Sequence, residues 1–258
     1  MNLSGKELSA LLKVDDLPLC AKYDPEWVFR NEMGPNVLWL AEMLARRMAL
    51  KPGMRVLDMG CGRALSSIFL AREFGVQVWA NDLWIPASEN WERIREAGLE
   101  DRVFPIHAEA RALPYADDFF DAALSLDSYQ YYGTDDLYLN YFLRFVKRGA
   151  QAGIIVPGLA RDFDGPVPGH LKPFWEQDCF CFHTADWWRH LWERTGLVEI
   201  EVAEQYPDGW RLWEKWYEAS VRADHRTDHG PTPEKDLEVI RADAGRYICF
   251  VRMVARRK

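Results

Sequence analysis

Two glycines and two acids are the residues of this chain whose spacing most suggests chemistry. Asp58, Gly60 and Gly62 alternate in VLDMGCGRAL (56–65), directly after an apolar run, and Asp82 follows 24 positions later at the end of a second apolar run. A glycine turn between a strand and a helix lets the backbone approach a nucleotide closely. An acid ending the next strand can accept hydrogen bonds from ribose hydroxyls. A dinucleotide fingerprint has G-x-G-x-x-G/A, with the helix N-terminus left open to a pyrophosphate. Here the sixth position is Leu65, and Asp58 places a carboxylate two residues before the first glycine. A carboxylate there repels a pyrophosphate and attracts a cation.

S-adenosylmethionine meets that demand, because it has no phosphate and carries a sulfonium and an ammonium. Asp82 suits the ribose of either cofactor type, so Asp58 and Leu65 are the residues that discriminate.

The elements that must position these groups alternate between short apolar runs and helical stretches, the pattern of a parallel sheet covered on both faces. Strands are predicted over 55–60, 76–82, 102–107, 119–127, 151–158, 197–205 and 246–255. Between them, 64–74 and 88–97 read as helices, with Gly98 as a stop. Thr134 with Asp135 and Asp136, and Thr184 with Asp186, read as helix starts: a capping hydroxyl, then acids against the positive end of the dipole. Residues 37–48 form an amphipathic helix before the first strand. The predicted fold is α/β: a Rossmann-like, doubly wound, seven-stranded and mostly parallel sheet with an antiparallel last strand.

A single domain is expected over 1–258, because 258 residues with 48% hydrophobic side chains suit one core. It divides into an N-terminal helical cap (1–50), a cofactor-binding core (51–157), a lid loop (158–183), completion of the sheet (184–205 and 246–258) and an aromatic and polar insertion (206–245). Long Gly- and Pro-rich loops over the carboxyl ends of strands are often binding loops. The net charge of -8 argues against a nucleic-acid partner. No apolar run is long enough to span a bilayer and no leader pattern opens the chain, so a cytoplasmic location without membrane insertion is expected. Five scattered cysteines are expected to be free thiols. Cys179 and Cys181 precede His183, but no second ligand pair follows at zinc-site spacing, so no metal is expected.

VLDMGCGRA followed by WANDL resembles the first two motifs of class I S-adenosylmethionine-dependent methyltransferases. HAEARALPYADDFFDAALSLDSYQYY and FLRFVKRGAQAGIIVP are similar to later segments of that family, in the same order. The likeness runs over 34–205 plus the last strand, and is nearest in flavour to small-molecule methyltransferases and the group that includes cyclopropane fatty-acid synthases. It implies S-adenosyl-L-methionine as cofactor, S-adenosyl-L-homocysteine as product, and a small-molecule acceptor. By position, Asp58, Gly60, Cys61 and Gly62 would form the loop under the methionyl moiety. Asp82 would hold the ribose and Leu83 the adenine, with Glu109 and Ala110 at the adenine edge. Asp127 would lie near the methionyl amine, with Gly34, Pro35 and Asn36 at the start of the preceding helix. Ala64 stands where a third glycine is common, Glu109 where Asp is usual, and Gly149-Ala150 in place of a Gly-Gly turn.

Methyl transfer needs alignment and exclusion of water, and a base only where the acceptor holds a proton of high pKa. Tyr129, Gln130, Tyr131 and Tyr132 follow the fourth strand directly; Tyr129 and Tyr131 are the candidates to face an acceptor. His170 and His183 are candidate bases on the lid, and His107 ends the third strand. Tyr23 and Trp27 are placed to close over the cofactor or simply to pack. Tryptophans crowd 175–216, either as an aromatic wall or as core; Trp188 and Trp192 lie i, i+4, ordinary helix-face spacing. His225 and His229 read as solvated loop. A lipid-modifying enzyme, an NAD-linked oxidoreductase and a non-catalytic adenosyl-binding module remain the rival functions, and the chain is expected to be a monomer or homodimer.

Overall fold

The computed structural model describes residues 3–226 and 232–258. The apolar runs become seven strands: β1 (Arg55–Met59), β2 (Gln77–Asp82), β3 (Val103–His107), β4 (Phe120–Leu126), β5 (Val146–Leu159), β6 (Val198–Gln205) and β7 (Ile248–Arg257). They form one sheet in the order β3-β2-β1-β4-β5-β7-β6. The first five are parallel, and β7 runs antiparallel between β5 and β6. Pairing of β1 with β2 on one side and β4 on the other makes its carboxyl end the switch point where open α/β sheets bind ligands.

Nine described helices cover the sheet: α1 (Gly5–Leu12), α2 (Pro25–Asn31), α3 (Val37–Ala45), α4 (Leu65–Phe74), α5 (Ala87–Glu96), α6 (Tyr138–Leu143), α7 (Ala185–Glu193), α8 (Gly209–Ala223) and α9 (Pro233–Asp243). Alternate strand residues feed opposite faces. Val56, Val78 and Leu124 join a core with α3, α4 and α8, while Leu57, Ala123 and Ile154 join a second core with α6 and α7. Among the described residues, no helix is long and apolar enough to cross a membrane.

Several local expectations shift. Thr184 caps α7 as read, its hydroxyl accepting from the Trp187 amide at 3.2 Å. Thr134 caps nothing: Asp135 folds back to accept from the Leu137 amide at 2.8 Å, and α6 begins only at Tyr138. Gly149-Ala150 lies inside β5, where the register against β4 slips between Phe120 and Ala122 and Gly149 takes a φ of +76°, so the expected turn is an irregularity within one longer strand. Residues 206–245 supply two helices, α8 and α9, packed on each other.

The segment 158–183 is no loose flap. Leu171, Phe174, Cys179 and Phe182 are buried, Phe174 meets Trp213 of α8, and the His183 carbonyl accepts from the Leu159 amide at 3.1 Å. Gly and Pro spacing makes it irregular, and its apolar anchors make it part of the core.

Candidate active site

The loop from β1 to α4 is built on left-handed backbone: Gly60, Gly62 and Ala64 have φ of +72°, +53° and +62°. A β-carbon on Gly60 would fall 2.0 Å from the Ser128 hydroxyl oxygen, so the position admits only glycine. The amides of Gly60 and Cys61 both donate to the Asn81 carbonyl, at 2.8 and 3.0 Å, and the Asn90 amide donates to the Gly62 carbonyl at 2.8 Å. These bonds latch the loop to the end of β2 and to α5.

Asp82 joins the two loops. One carboxylate oxygen accepts from the Gly62 amide at 2.8 Å, the other from the Trp84 and Ile85 amides at 2.8 and 2.9 Å. His107 Nε2 lies 2.7 Å from the Leu83 carbonyl and steadies the same turn from β3. Beyond these loops opens a cavity of about 290 Å³ at the carboxyl ends of β1, β2 and β4. Leu83, Trp84, Glu109 and Ala110 line it, with Asp82 and the 60–62 loop. A strap from Glu32 to Pro35, together with Arg63, Asp127 and Tyr131, lines the remainder. Glu109 accepts from the Arg111 amide at 2.7 Å and pairs with its guanidinium.

Asp127 has a φ of +50° and receives the Gln130 amide at 3.1 Å. Burial pushes its carboxyl up to about 7, with Gln130 opposing and the nearby Glu32 reinforcing the rise. The same strap brings Gly34 so close that a β-carbon there would lie 2.6 Å from an Asp127 oxygen.

Asp58 stands behind this cavity and does not line it. It is fully buried, and one oxygen accepts the hydroxyls of Ser66 and Ser67, each at 2.6 Å, tying β1 to the first turn of α4. Burial lifts its carboxyl to about 6; the two serines oppose the rise and Asp82 adds to it. Asn36 likewise caps α3, accepting from the Leu38 amide at 3.1 Å, and does not face the cavity.

Of the candidate acceptor-facing groups, only Tyr131 and Tyr132 reach the cavity. Tyr131 lines it and is exposed. Tyr132 bonds to the Ser125 and Ser128 hydroxyls at 3.0 and 3.2 Å. Tyr129 turns the opposite way, into a cluster with Trp188, Trp192 and Phe142. Its hydroxyl is buried without a partner. Tyr129→Phe should therefore leave any activity unchanged and keep or slightly raise the melting temperature, because it removes an unsatisfied polar atom; a loss of turnover would restore Tyr129 to the site.

His170 pairs with Asp243 at 2.9 Å, and His183 stacks on Trp187 at 3.6 Å, its imidazole pKa lowered by burial. Neither lines the cavity, and no residue of 158–183 does. Tyr23 and Trp27 stack on each other beside Arg72 and Glu73, in a separate cleft at the far end of α4. The tryptophans of 175–216 pack into the two cores or outside the cavity, whereas Trp84, which lies outside that cluster, lines the cavity. Among the described residues, no group of three or more His, Cys, Asp or Glu side chains is placed to hold a metal ion.

Glu32 and His225 are the residues that sequence reading passed over. His225 is no solvated loop residue: its Nε2 lies 2.6 Å from a Glu32 oxygen, although the two are 193 positions apart. His229 lies outside the described residues. The only local signal for Glu32 was an acid immediately before the Met33-Gly34-Pro35 approach to α3.

Residues 56–149 match a family model described as a methyltransferase domain. Over that segment, from β1 into β5, the chain is similar to the methyltransferase-domain family. Over 127 residues the chain is 35% identical to the methyltransferase GfsG of Streptomyces halstedii, covering 48% of this chain and 46% of that protein, so the chain spans less than half of that relative's length. Among solved structures, the [4+2]-cyclase SpnF superposes with a TM-score of 0.66 at 22% identity, covering 85% of this chain and 80% of that one. Geranyl diphosphate C-methyltransferase of Streptomyces coelicolor A3(2) superposes with a TM-score of 0.66 at 19% identity, covering 85% and 79%. At these identities the likeness is one of fold. The matched segment of the methyltransferase domain holds Asp58, Asp82, Glu109 and Asp127, while Glu32 and His225 lie outside it.

Proposed function

We propose that this protein transfers the methyl group of S-adenosylmethionine to a small-molecule acceptor. The observation that carries the reading is two acids in the wall of one cavity over the switch point: Asp82 at the end of β2, fastened to the loops on both sides, which suits a ribose, and Asp127 after β4, which suits an ammonium and opposes a pyrophosphate. The residues suit the cofactor. Leu83, Trp84 and Ala110 offer apolar surface to an adenine, Asp82 an acceptor to ribose hydroxyls, and Asp127 an acid to the methionyl ammonium. The cofactor would supply a methyl group on a positively charged sulfur. The chain's part is to hold that group in line with the acceptor and to exclude water.

One solved neighbour is named for a small organic acceptor, geranyl diphosphate, and the GfsG relative is named a methyltransferase. A monomer or homodimer in the cytoplasm goes with this reading. Because a cyclase shares the fold, turnover is the decisive test. Incubation with methyl-labelled S-adenosylmethionine and a panel of hydroxyl-, amine- and alkene-bearing acceptors should release S-adenosylhomocysteine with label in one acceptor class. Tight cofactor binding without transfer to any of them would favour the non-catalytic module.

Asp127 gives a pH signature. Its carboxyl is raised to about 7, so it is largely neutral below that pH, and an ammonium binds the ionised form. Cofactor affinity should level off about one unit above that value and fall by about fivefold as pH drops from 7 to 6, approaching about tenfold per unit below that. Asp127→Asn should bind weakly with a flat profile over the same range. Equal slopes in the two proteins, measured by calorimetry, would remove the ammonium from Asp127.

A further inference from the structure

Glu32 follows α2 on the strap that closes one side of the cavity and is 4% exposed. One carboxylate oxygen, Oε1, receives His225 Nε2 at 2.6 Å. The other, Oε2, is buried and has no hydrogen-bond partner. Buried carboxylate oxygens are costly to leave unpaired, and Glu32 lines the cavity, so a bound molecule is the natural partner for Oε2. The His225 ring is fixed on two sides, 4.9 Å from Phe29 of α2 and 6.5 Å from Trp216 of α8. The charged and titratable groups around the carboxylate are His225, Asp127 after β4, Tyr217 of α8, and Arg63, whose guanidinium donates to the Glu32 carbonyl at 3.3 Å. Asp127 accepts from Gln130 through Oδ1 alone; what sets Glu32 apart among the acids lining the cavity is that its second oxygen is buried with no partner.

We propose that Glu32 faces the methyl group being transferred and takes the proton of a hydroxyl or amine acceptor, with His225 as the positioning residue that turns Oε2 toward the cavity. The proposal rests on the methyl-transfer reading. In the step, a lone pair of the acceptor's oxygen or nitrogen forms the new bond to the methyl carbon. The carbon–sulfur bond breaks with its electron pair going to sulfur, and the acceptor's proton passes to Glu32 Oε2. Charge balances: the sulfonium becomes neutral as the carboxylate becomes a carboxylic acid.

Sinefungin tests this without knowledge of the acceptor. In it a carbon bearing an amine replaces the methylated sulfur, so a cationic nitrogen points where the methyl would go; S-adenosylhomocysteine lacks that group, and both share the methionyl ammonium. By calorimetry the wild type should bind sinefungin at least about tenfold more tightly than S-adenosylhomocysteine. Glu32→Gln should bring the two ligands to about equal affinity while S-adenosylhomocysteine binding is unchanged, which also shows the variant is folded. His225→Gln, which keeps a donor for Oε1, should retain the preference, and His225→Ala should lose most of it. If Glu32→Gln weakens both ligands equally, the carboxylate serves the methionyl ammonium and the proposal is overturned. An unchanged preference in Glu32→Gln overturns it as well. Failure of the wild type to bind either ligand refutes the methyl-transfer reading itself, and this proposal with it.

Discussion

Asp82→Ala is expected to weaken binding of S-adenosylmethionine by at least about a hundredfold, because bonds from two ribose hydroxyls to one carboxylate contribute about 1.5–3 kcal/mol each. The structure enlarges the effect beyond the ribose. The same carboxylate receives the amides of Gly62, Trp84 and Ile85, so its removal loosens both walls of the cavity at once. Asp82→Asn keeps the shape and one acceptor oxygen, and should lose markedly less. Calorimetric titration of the two variants beside the wild type separates these outcomes. A melting temperature lowered in Asp82→Ala with cofactor affinity untouched would show that Asp82 only organises loops.

Gly60→Val should abolish cofactor binding and destabilise the fold by about 3 kcal/mol or more, the sum of a β-branched residue forced to positive φ and an overpacked neighbour. Both causes are visible: φ is +72°, and a β-carbon would stand 2.0 Å from Ser128 Oγ and 2.4 Å from its β-carbon. Relief requires either the 60–62 loop or the turn after β4 to move, and both border the cavity. Ser128→Gly in the Gly60→Val background removes the neighbour but not the strained φ, so it should recover only part of the stability. Full recovery of stability and binding would show that the backbone conformation matters less than the contact. Wild-type affinity in Gly60→Val itself would place the cofactor elsewhere.

The sheet was legible because its signals are local. Each strand is an apolar run bounded by turn residues, and the glycine loop and Asp82 sit where the first two runs end. What failed depended on direction or on distance along the chain. Asp58 ends a strand at the right position, but the pleat sends its carboxylate to Ser66 and Ser67 rather than to the ligand. Tyr129 and Tyr131 are two apart on one short turn, and only the packing of α6 and α7 decides that the first is core and the second lines the cavity. The 158–183 segment has the composition of a loop, yet Leu171, Phe174 and Phe182 dock it into the protein. Nothing in the sequence pointed to the pairing of Glu32 with His225, since 193 positions separate two residues that only the placement of α2 and α8 brings together.

Calorimetric titration of the purified protein with S-adenosylmethionine and S-adenosylhomocysteine, with NADH as control, tests the central claim most directly. Micromolar binding of the adenosyl pair and none of NADH is the result expected from a cavity with Asp82 and Asp127 in its wall. NADH binding with silence toward both adenosyl ligands would contradict it, and with it the function proposed for this site.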